Sequence, residues 1–136
     1  MKSKNSLIDP LGKNIAEDLH WLQLEKQWGL SKFPVVMGGE GPPLLCLHGF
    51  DSSFLEFRRI YPSLKNKFTL IIPDLLGFGF SPRISSINYN SENIITNLTD
   101  IIHKLKITQK INIVGASMGG SVAFSLTKKI KTDIDK

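Results

Sequence analysis

The chain has 136 residues, of which 41% are hydrophobic and 9% aromatic, and these values are typical of one globular domain. No apolar run is long enough to span a membrane, and the basic first residues lack the apolar stretch of a secretion signal. The net charge is +5, and the lysines are scattered along the chain apart from Lys128, Lys129 and Lys131 near its end. They are not interleaved with aromatic residues as in a nucleic-acid-binding surface, and no zinc-ligand spacing occurs. The single cysteine, Cys46, excludes an internal disulfide. We therefore expect a cytoplasmic protein that binds neither nucleic acid nor a metal and uses no cofactor.

Two regions differ in their patterning. Residues 1–27 form an amino-terminal extension, in which Ile15, Leu19 and Leu22 recur at helical spacing and predict a short amphipathic helix. An ordered cap and a loose arm are both compatible with this region. Residues 28–136 begin with one or two short strands that proline and glycine place near a sheet edge, and continue as a single α/β domain.

The first strong strand signal is the apolar run from Leu44 to Leu47, which lacks alternation and predicts a central parallel strand covered on both faces. His48-Gly49-Phe50 follows directly, and such loops after strands are where α/β sheets bind ligands. A helix from Phe54 to Leu64 comes next, with Ser52 or Ser53 as its cap.

A second strand, from Phe68 to Pro73, also runs into a glycine-bearing loop, which begins at Asp74 and continues to Arg83. Its phenylalanines either line an apolar pocket or pack beneath the loop. Asn90 or Ser91 can cap the following helix, whose apolar stripe leaves Asp100 and His103 facing solvent.

The stretch from Ile111 to Gly120 reads I-N-I-V-G-A-S-M-G-G and predicts a buried strand, a very sharp turn and a helix. We call residues 115–120 the elbow. We expect that a side chain at position 115 or 119 would collide with neighbouring backbone, which explains Gly115 and Gly119. Gly120 is expected to let the start of the helix lie close to the strand. Ser117, at the apex, is expected to have a strained backbone with positive φ.

Together these motifs resemble the α/β-hydrolase superfamily, because three of them occur in the family's order. His48-Gly49-Phe50 resembles its oxyanion loop, Asp74-x-x-Gly77-x-Gly79-x-Ser81 its next loop, and Gly115-x-Ser117-x-Gly119-Gly120 its nucleophile elbow. The resemblance covers residues 28 to 130. It implies a partial α/β-hydrolase fold, a mostly parallel sheet with flanking helices that lacks the family's carboxyl-terminal strands.

The resemblance further implies a serine hydrolase acting on a small-molecule ester or related acyl substrate. Ser117 would be the nucleophile, and the backbone N–H groups of Phe50 and Met118 would hold the oxyanion. His48, Gly49, Asp74, Gly115, Gly119 and Gly120 would support these loops.

In one respect the chain departs from the family, whose acid and histidine follow the serine. After Ser117 the only acidic residues are Asp133 and Asp135, in a polar tail, and there is no histidine. His48 and Asp74 precede the serine and are interpreted as loop supports. The chain is therefore interpreted as a truncated or split hydrolase, inactive alone, that a carboxyl-terminal half could complement.

Two other functional classes stay open. A non-catalytic binding protein could retain the half-fold and associate through the sheet edge that the missing strands would cover. A nucleotide-binding module is less favoured, because neither G-x-x-x-x-G-K-[ST] nor a G-x-G-x-x-G after the first strand occurs.

Overall fold

The structure, a computed structural model, describes residues 6–130, which form a five-stranded sheet with helices on both faces. The strands are β1 (Leu19–Gln23), β2 (Lys32–Gly38), β3 (Pro43–Leu47), β4 (Thr69–Pro73) and β5 (Asn112–Gly115). The helices are α1 (Pro10–Glu17), α2 (Tyr61–Leu64), α3 (Ser91–Lys104) and α4 (Met118–Lys129). The predicted α/β class is confirmed.

The strand order is β1-β2-β4-β3-β5. Leu44 of β3 is in register with Leu70 of β4 on one side and with Asn112 of β5 on the other, and both pairings are parallel. The predicted central position of β3 is thus confirmed. The sheet as a whole is mixed, since β1 and β2 pair with each other, and β2 with β4, in antiparallel fashion.

Alternate residues of the central strands point into two separate core layers. Leu45 and Leu47 of β3 pack in the layer that includes α3 and α4, whereas Cys46 packs in the layer that includes α1 and Tyr61 of α2. This two-sided burial explains why the β3 sequence shows no alternation of apolar and polar residues. It also places the segments after β3 and after β4 on opposite faces, as right-handed crossovers require.

The amino-terminal region contributes a helix and a strand to this architecture. The Asp9 carboxylate caps α1 by accepting the Leu11 N–H at 3.1 Å, and Ile15 is fully buried. Leu19 and Leu22, which the helical spacing assigned to the same helix, lie instead in β1. The predicted boundary at residue 28 falls between β1 and β2, which pair directly in one sheet.

The segment after β3 is less regular than the predicted helix. A 3₁₀ turn over Phe54–Phe57 is followed by the single-turn α2, with Pro62 in its first turn. Proline has no N–H to bond the preceding turn, so it fits the start of a helix and not the middle of a continuous one. The predicted cap is present, since Ser53 Oγ accepts the Leu55 N–H at 3.3 Å.

Helix α3 begins as predicted, with the Asn90 side chain accepting the Asn93 N–H at 2.9 Å. Asp100 was expected to face solvent, but its carboxylate accepts the indole N–H of buried Trp28 at 2.7 Å. A buried indole needs a partner for its N–H, and Asp100 supplies it from the edge of the apolar stripe. His103 is exposed, as expected.

β5 lies at one edge of the sheet formed by the described residues. Val114 is 43% exposed, although it sits in a strand that runs into the elbow, and Phe124 on α4 is 64% exposed. Within residues 6–130 this edge is therefore unpaired and partly apolar, as the sequence predicts.

Candidate active site

The elbow has the sharp geometry that its sequence predicts. Ser117 adopts φ 51° and ψ −116° between the end of β5 and the first residue of α4. A positive φ is uncommon for a residue with a side chain and costs on the order of 1–3 kcal/mol. The predicted strain at Ser117 is confirmed, and the rest of the elbow must hold this conformation in place.

Two of the three elbow glycines are required by close backbone packing. A Cβ at Gly119 would lie 2.7 Å from the His48 carbonyl oxygen and closer still to that of Leu47, and a Cβ at Gly115 would overlap the backbone of Gly119 and Gly120. At Gly120 an added Cβ would meet only the Gly115 oxygen, at an ordinary 3.6 Å. The close backbone contact that was expected at Gly120 is thus found at Gly115 and Gly119.

A backbone hydrogen bond joins the elbow to the end of β3. The Ala116 N–H donates to the Leu47 carbonyl at 2.9 Å. Gly49 also lies against the elbow, since a Cβ at this position would be 3.4 Å from both the Ala116 oxygen and the Ser117 Cβ. The loop after β3 and the elbow, separate in sequence, therefore form one structural unit.

The N–H groups of Phe50 and Met118 are among the backbone donors of this unit that have no hydrogen-bond partner within residues 6–130. Two other donors of the unit are occupied, since the Gly119 N–H bonds the Ala116 oxygen and the Gly49 N–H bonds Glu56. Met118 also begins the 12-residue helix α4, whose dipole favours negative charge at this end. These two N–H groups are available to an anionic oxygen.

His48 is fully buried, and both of its ring nitrogens are engaged. Nε2 accepts the Leu75 N–H at 2.9 Å, so Nδ1 carries the proton and donates it to the Gly49 oxygen at 2.8 Å. Burial lowers the pKa of His48, which favours the neutral imidazole. His48 therefore joins the loops after β3 and β4, and acting as a base would require breaking the bond to Leu75.

Asp74 is a second buried support. Its two carboxylate oxygens accept the N–H groups of Phe54 at 2.6 Å and Phe80 at 2.7 Å, and its carbonyl accepts the Ser81 hydroxyl at 3.0 Å. Burial raises the pKa of Asp74 to about 6, against the opposing effect of the two N–H donors. Asp74 thereby fixes the 3₁₀ turn after β3 and the loop after β4 relative to each other.

Glu56 is a loop support that sequence reasoning missed. Its carboxylate accepts the Gly49 N–H at 2.7 Å from the 3₁₀ turn. An acidic residue in the first turn of a helical segment is common, and no spacing pattern connects it to a glycine seven residues earlier. The signal that could have found it is the Gly49 N–H itself, which needs a partner because Gly49 is buried.

Two cavities lie beside these loops. Phe50 and Met118 both line a cavity of about 540 Å³, whose wall includes Phe78, and a larger groove of about 1,260 Å³ is lined by Trp21 and residues of both loops. Phe78 is therefore both a packing residue and part of a pocket wall. Ser117 is exposed and is not among the residues that line these two cavities.

No described histidine is placed to accept a proton from Ser117. His20 lies on β1, at the opposite edge of the sheet from β5, and His103 lies in the last turn of α3. Asp133 and Asp135 lie outside the described residues. Residues 6–130 contain no cluster of three or more metal-ligating side chains and no helix long and apolar enough to cross a membrane.

The sequence profile of the α/β hydrolase fold matches residues 42–136. The chain belongs to the α/β-hydrolase family. The match includes the loop after β3, the loop after β4 and the elbow, the three segments that the structure brings together.

Relatives within the α/β-hydrolase family carry out different reactions. The chain is 38% identical to lipase 1 of Psychrobacter immobilis over 94 residues, covering 69% of this chain and 29% of the lipase. It is 36% identical to a soluble epoxide hydrolase of Corynebacterium sp. (strain C12) over 89 residues, covering 65% of this chain and 30% of that enzyme.

A solved structure with the same fold is the meta-cleavage product hydrolase of Pseudomonas fluorescens IP01. Its TM-score is 0.77 at 26% sequence identity, covering 86% of this chain and 42% of that one. The chain thus spans about 30% of the length of the curated α/β-hydrolases it matches, and 42% of this structure.

Proposed function

We propose that this chain carries the nucleophile and the oxyanion site of a serine hydrolase that acts on an ester or related acyl substrate. The observation that carries the proposal is the conformation of Ser117, strained at φ 51° and held by glycine packing at the start of α4. Strain of this kind persists only where the surrounding structure fixes it, and it clusters at functional sites. The relatives of this chain include an epoxide hydrolase. A serine at position 117 favours acyl transfer over epoxide opening.

In this reaction the Ser117 hydroxyl oxygen attacks the acyl carbonyl, and the resulting oxyanion accepts the N–H groups of Met118 and Phe50. Both donors lack partners in residues 6–130, so neither must break a bond to act. Removing one such donor from a hydrolase typically costs about 3 kcal/mol of transition-state stabilisation. His48, Asp74 and Glu56 act indirectly, by holding the loop that presents the Phe50 N–H.

The general base and the acid come from outside residues 6–130, because both ring nitrogens of His48 are engaged and the other histidines are distant. A serine hydroxyl is a poor nucleophile without a base. We therefore expect residues 1–136 alone to turn over an activated ester several powers of ten more slowly than a complete triad. A complementing carboxyl-terminal half would supply the base and cover the β5 edge.

The test is labelling with a fluorophosphonate and the release of p-nitrophenol from a short ester, with protein in excess. Ser117→Ala should abolish both signals, whereas Ser121→Ala, an exposed serine one turn further along α4, should change neither. Adding the carboxyl-terminal half of a related hydrolase should accelerate the Ser117-dependent reaction. Labelling that persists in Ser117→Ala would overturn the assignment.

A non-catalytic binding protein is the second candidate, favoured by the lack of a placed base within residues 6–130 and by the exposed apolar edge at Val114 and Phe124. Such an edge would bind a complementing chain or a second copy of this one. Binding of a carboxyl-terminal half without any Ser117-dependent chemistry would support this candidate over the hydrolase.

A further inference from the structure

The cavity beside the two free N–H groups is almost entirely uncharged. Its wall combines the aromatic rings of Phe50, Phe78 and Tyr89 with apolar side chains and with the neutral polar residues Asn90 and Ser91. The Phe50 and Phe78 rings meet edge to face, with centroids 5.5 Å apart. Among the residues that line it, Arg83 is the one with a charged side chain. A volume of about 540 Å³ is within the range of small-molecule sites.

The backbone on both sides of Arg83 is anchored. The Ser81 hydroxyl donates to the carbonyl of buried Asp74 at 3.0 Å, and the Tyr89 hydroxyl accepts the Ile84 N–H at 2.6 Å. The Arg83 guanidinium itself donates from Nη1 to the Ser81 carbonyl at 2.5 Å. An exposed arginine is thereby held at a fixed place on the cavity wall, with little ordering entropy left to lose on binding.

Most of the Arg83 donors stay unused. A guanidinium carries five N–H donors, and within residues 6–130 the bond to Ser81 is the one that it makes. Arg83 also lines the larger groove, where Lys32 and Asp51 are the other charged residues of the wall. Arg83 is thus the residue common to both spaces and the strongest anion-binding group beside the apolar cavity.

We infer that Arg83 determines specificity by binding an anionic group, a carboxylate in the simplest case, on an acyl substrate whose apolar part occupies the aromatic cavity. This inference rests on the proposed function of Ser117. The aromatic wall takes the methylene or aromatic part of the acyl group, and the free N–H donors of the guanidinium take the carboxylate oxygens. Because Arg83 is exposed, the effect is moderate, on the order of tenfold in rate, and it is weakened by salt.

The experiment compares two p-nitrophenyl esters of equal acyl length, the neutral hexanoate and the anionic monoester of adipic acid. Acylation is measured with protein in excess, and the rate with Ser117→Ala is subtracted. The unmodified chain should react about tenfold faster with the adipate than Arg83→Gln does, while the hexanoate rates of the two agree within about twofold. Raising NaCl from about 0.05 M to about 0.5 M should reduce the adipate advantage.

Lys32→Gln is the matched control, because Lys32 is a cation that lines the larger groove but not the aromatic cavity. It should leave the adipate-to-hexanoate ratio unchanged, whereas Arg83→Lys should keep part of it. Equal losses in Arg83→Gln and Lys32→Gln, or equal slowing of both esters in Arg83→Gln, would overturn the inference while leaving Ser117 as nucleophile. If neither ester reacts through Ser117, the proposed function fails and the inference fails with it.

Discussion

The two adjacent glycines of α4 provide a matched pair of substitutions with opposite expected signs. In Gly119→Ala the new methyl group would lie 2.7 Å from the His48 oxygen and closer to the Leu47 oxygen, both of which are backbone atoms. Restoring a normal contact requires α4 to move away from β3 by roughly 1 Å. In Gly120→Ala the nearest atom is 3.6 Å away, so the methyl group fits without movement.

The magnitudes follow from these contacts. Overpacking against fixed backbone costs about 1–3 kcal/mol, and stretching the 2.9 Å bond from Ala116 N–H to the Leu47 oxygen removes about 1 kcal/mol more. We therefore expect Gly119→Ala to lower the free energy of unfolding by about 3 kcal/mol and the melting temperature by about 10 °C. Gly120→Ala should raise them by about 0.5 kcal/mol and about 2 °C, because alanine favours helix over glycine.

Thermal and urea unfolding followed by circular dichroism would measure both variants at low protein concentration. Gly119→Ala should also slow fluorophosphonate labelling of Ser117, since the displaced helix carries the Met118 N–H with it. Equal shifts of the same sign in the two variants would refute the reasoning, because the packing of α4 on β3 predicts a difference of more than about 3 kcal/mol between neighbouring positions.

Two further predictions concern Asp74 and the β5 edge. Burial raises the pKa of Asp74 to about 6 from its ordinary 3.8. Between these two pH values the folded state holds a proton that the unfolded chain has released. The contribution of Asp74 to the free energy of unfolding therefore falls by up to about 3 kcal/mol as pH rises from 4 to 7. Urea titrations across this range should show the fall as a decreasing difference in free energy of unfolding between the parent chain and Asp74→Asn. Parallel pH profiles of the two chains would contradict it. Taking the difference removes the opposite pH dependence due to His48, whose pKa is lowered. At the edge, Val114→Lys should reduce self-association measured by sedimentation velocity, because a charge on an edge strand opposes strand pairing. Equal self-association of Val114→Lys and of the surface control Ser125→Lys would argue against pairing through β5.

The parts of the fold that the sequence predicts are those in which local chemistry and tertiary packing agree. The unbroken apolar run of β3 reflects burial on both faces. Asn90 caps α3 because its short side chain reaches an unpaired N–H of the first helical turn. The elbow was predictable for the same reason, since Gly115 and Gly119 have no alternative where backbone meets backbone.

The parts that the sequence does not predict depend on distant partners. Leu19 and Leu22 satisfy a helical spacing over too few residues to exclude a strand, and pairing with β2 decides the outcome. Glu56 becomes part of the candidate site only because the loop after β3 folds back on the 3₁₀ turn. Asp100 accepts an N–H from Trp28, a partner that lies 72 residues away and leaves no trace in the helical pattern.

The pairing of β3 with β5 has a consequence for how the chain is made. The Leu47 carbonyl can accept the Ala116 N–H only after about 70 further residues have been synthesised, which takes a ribosome roughly 3 to 14 s. During that interval one side of β3, the most apolar strand of the sheet, has no partner and can template pairing with a neighbouring nascent chain. Because β3 pairs with the elbow strand so late in synthesis, β3 is the segment that we expect a chaperone to protect during translation.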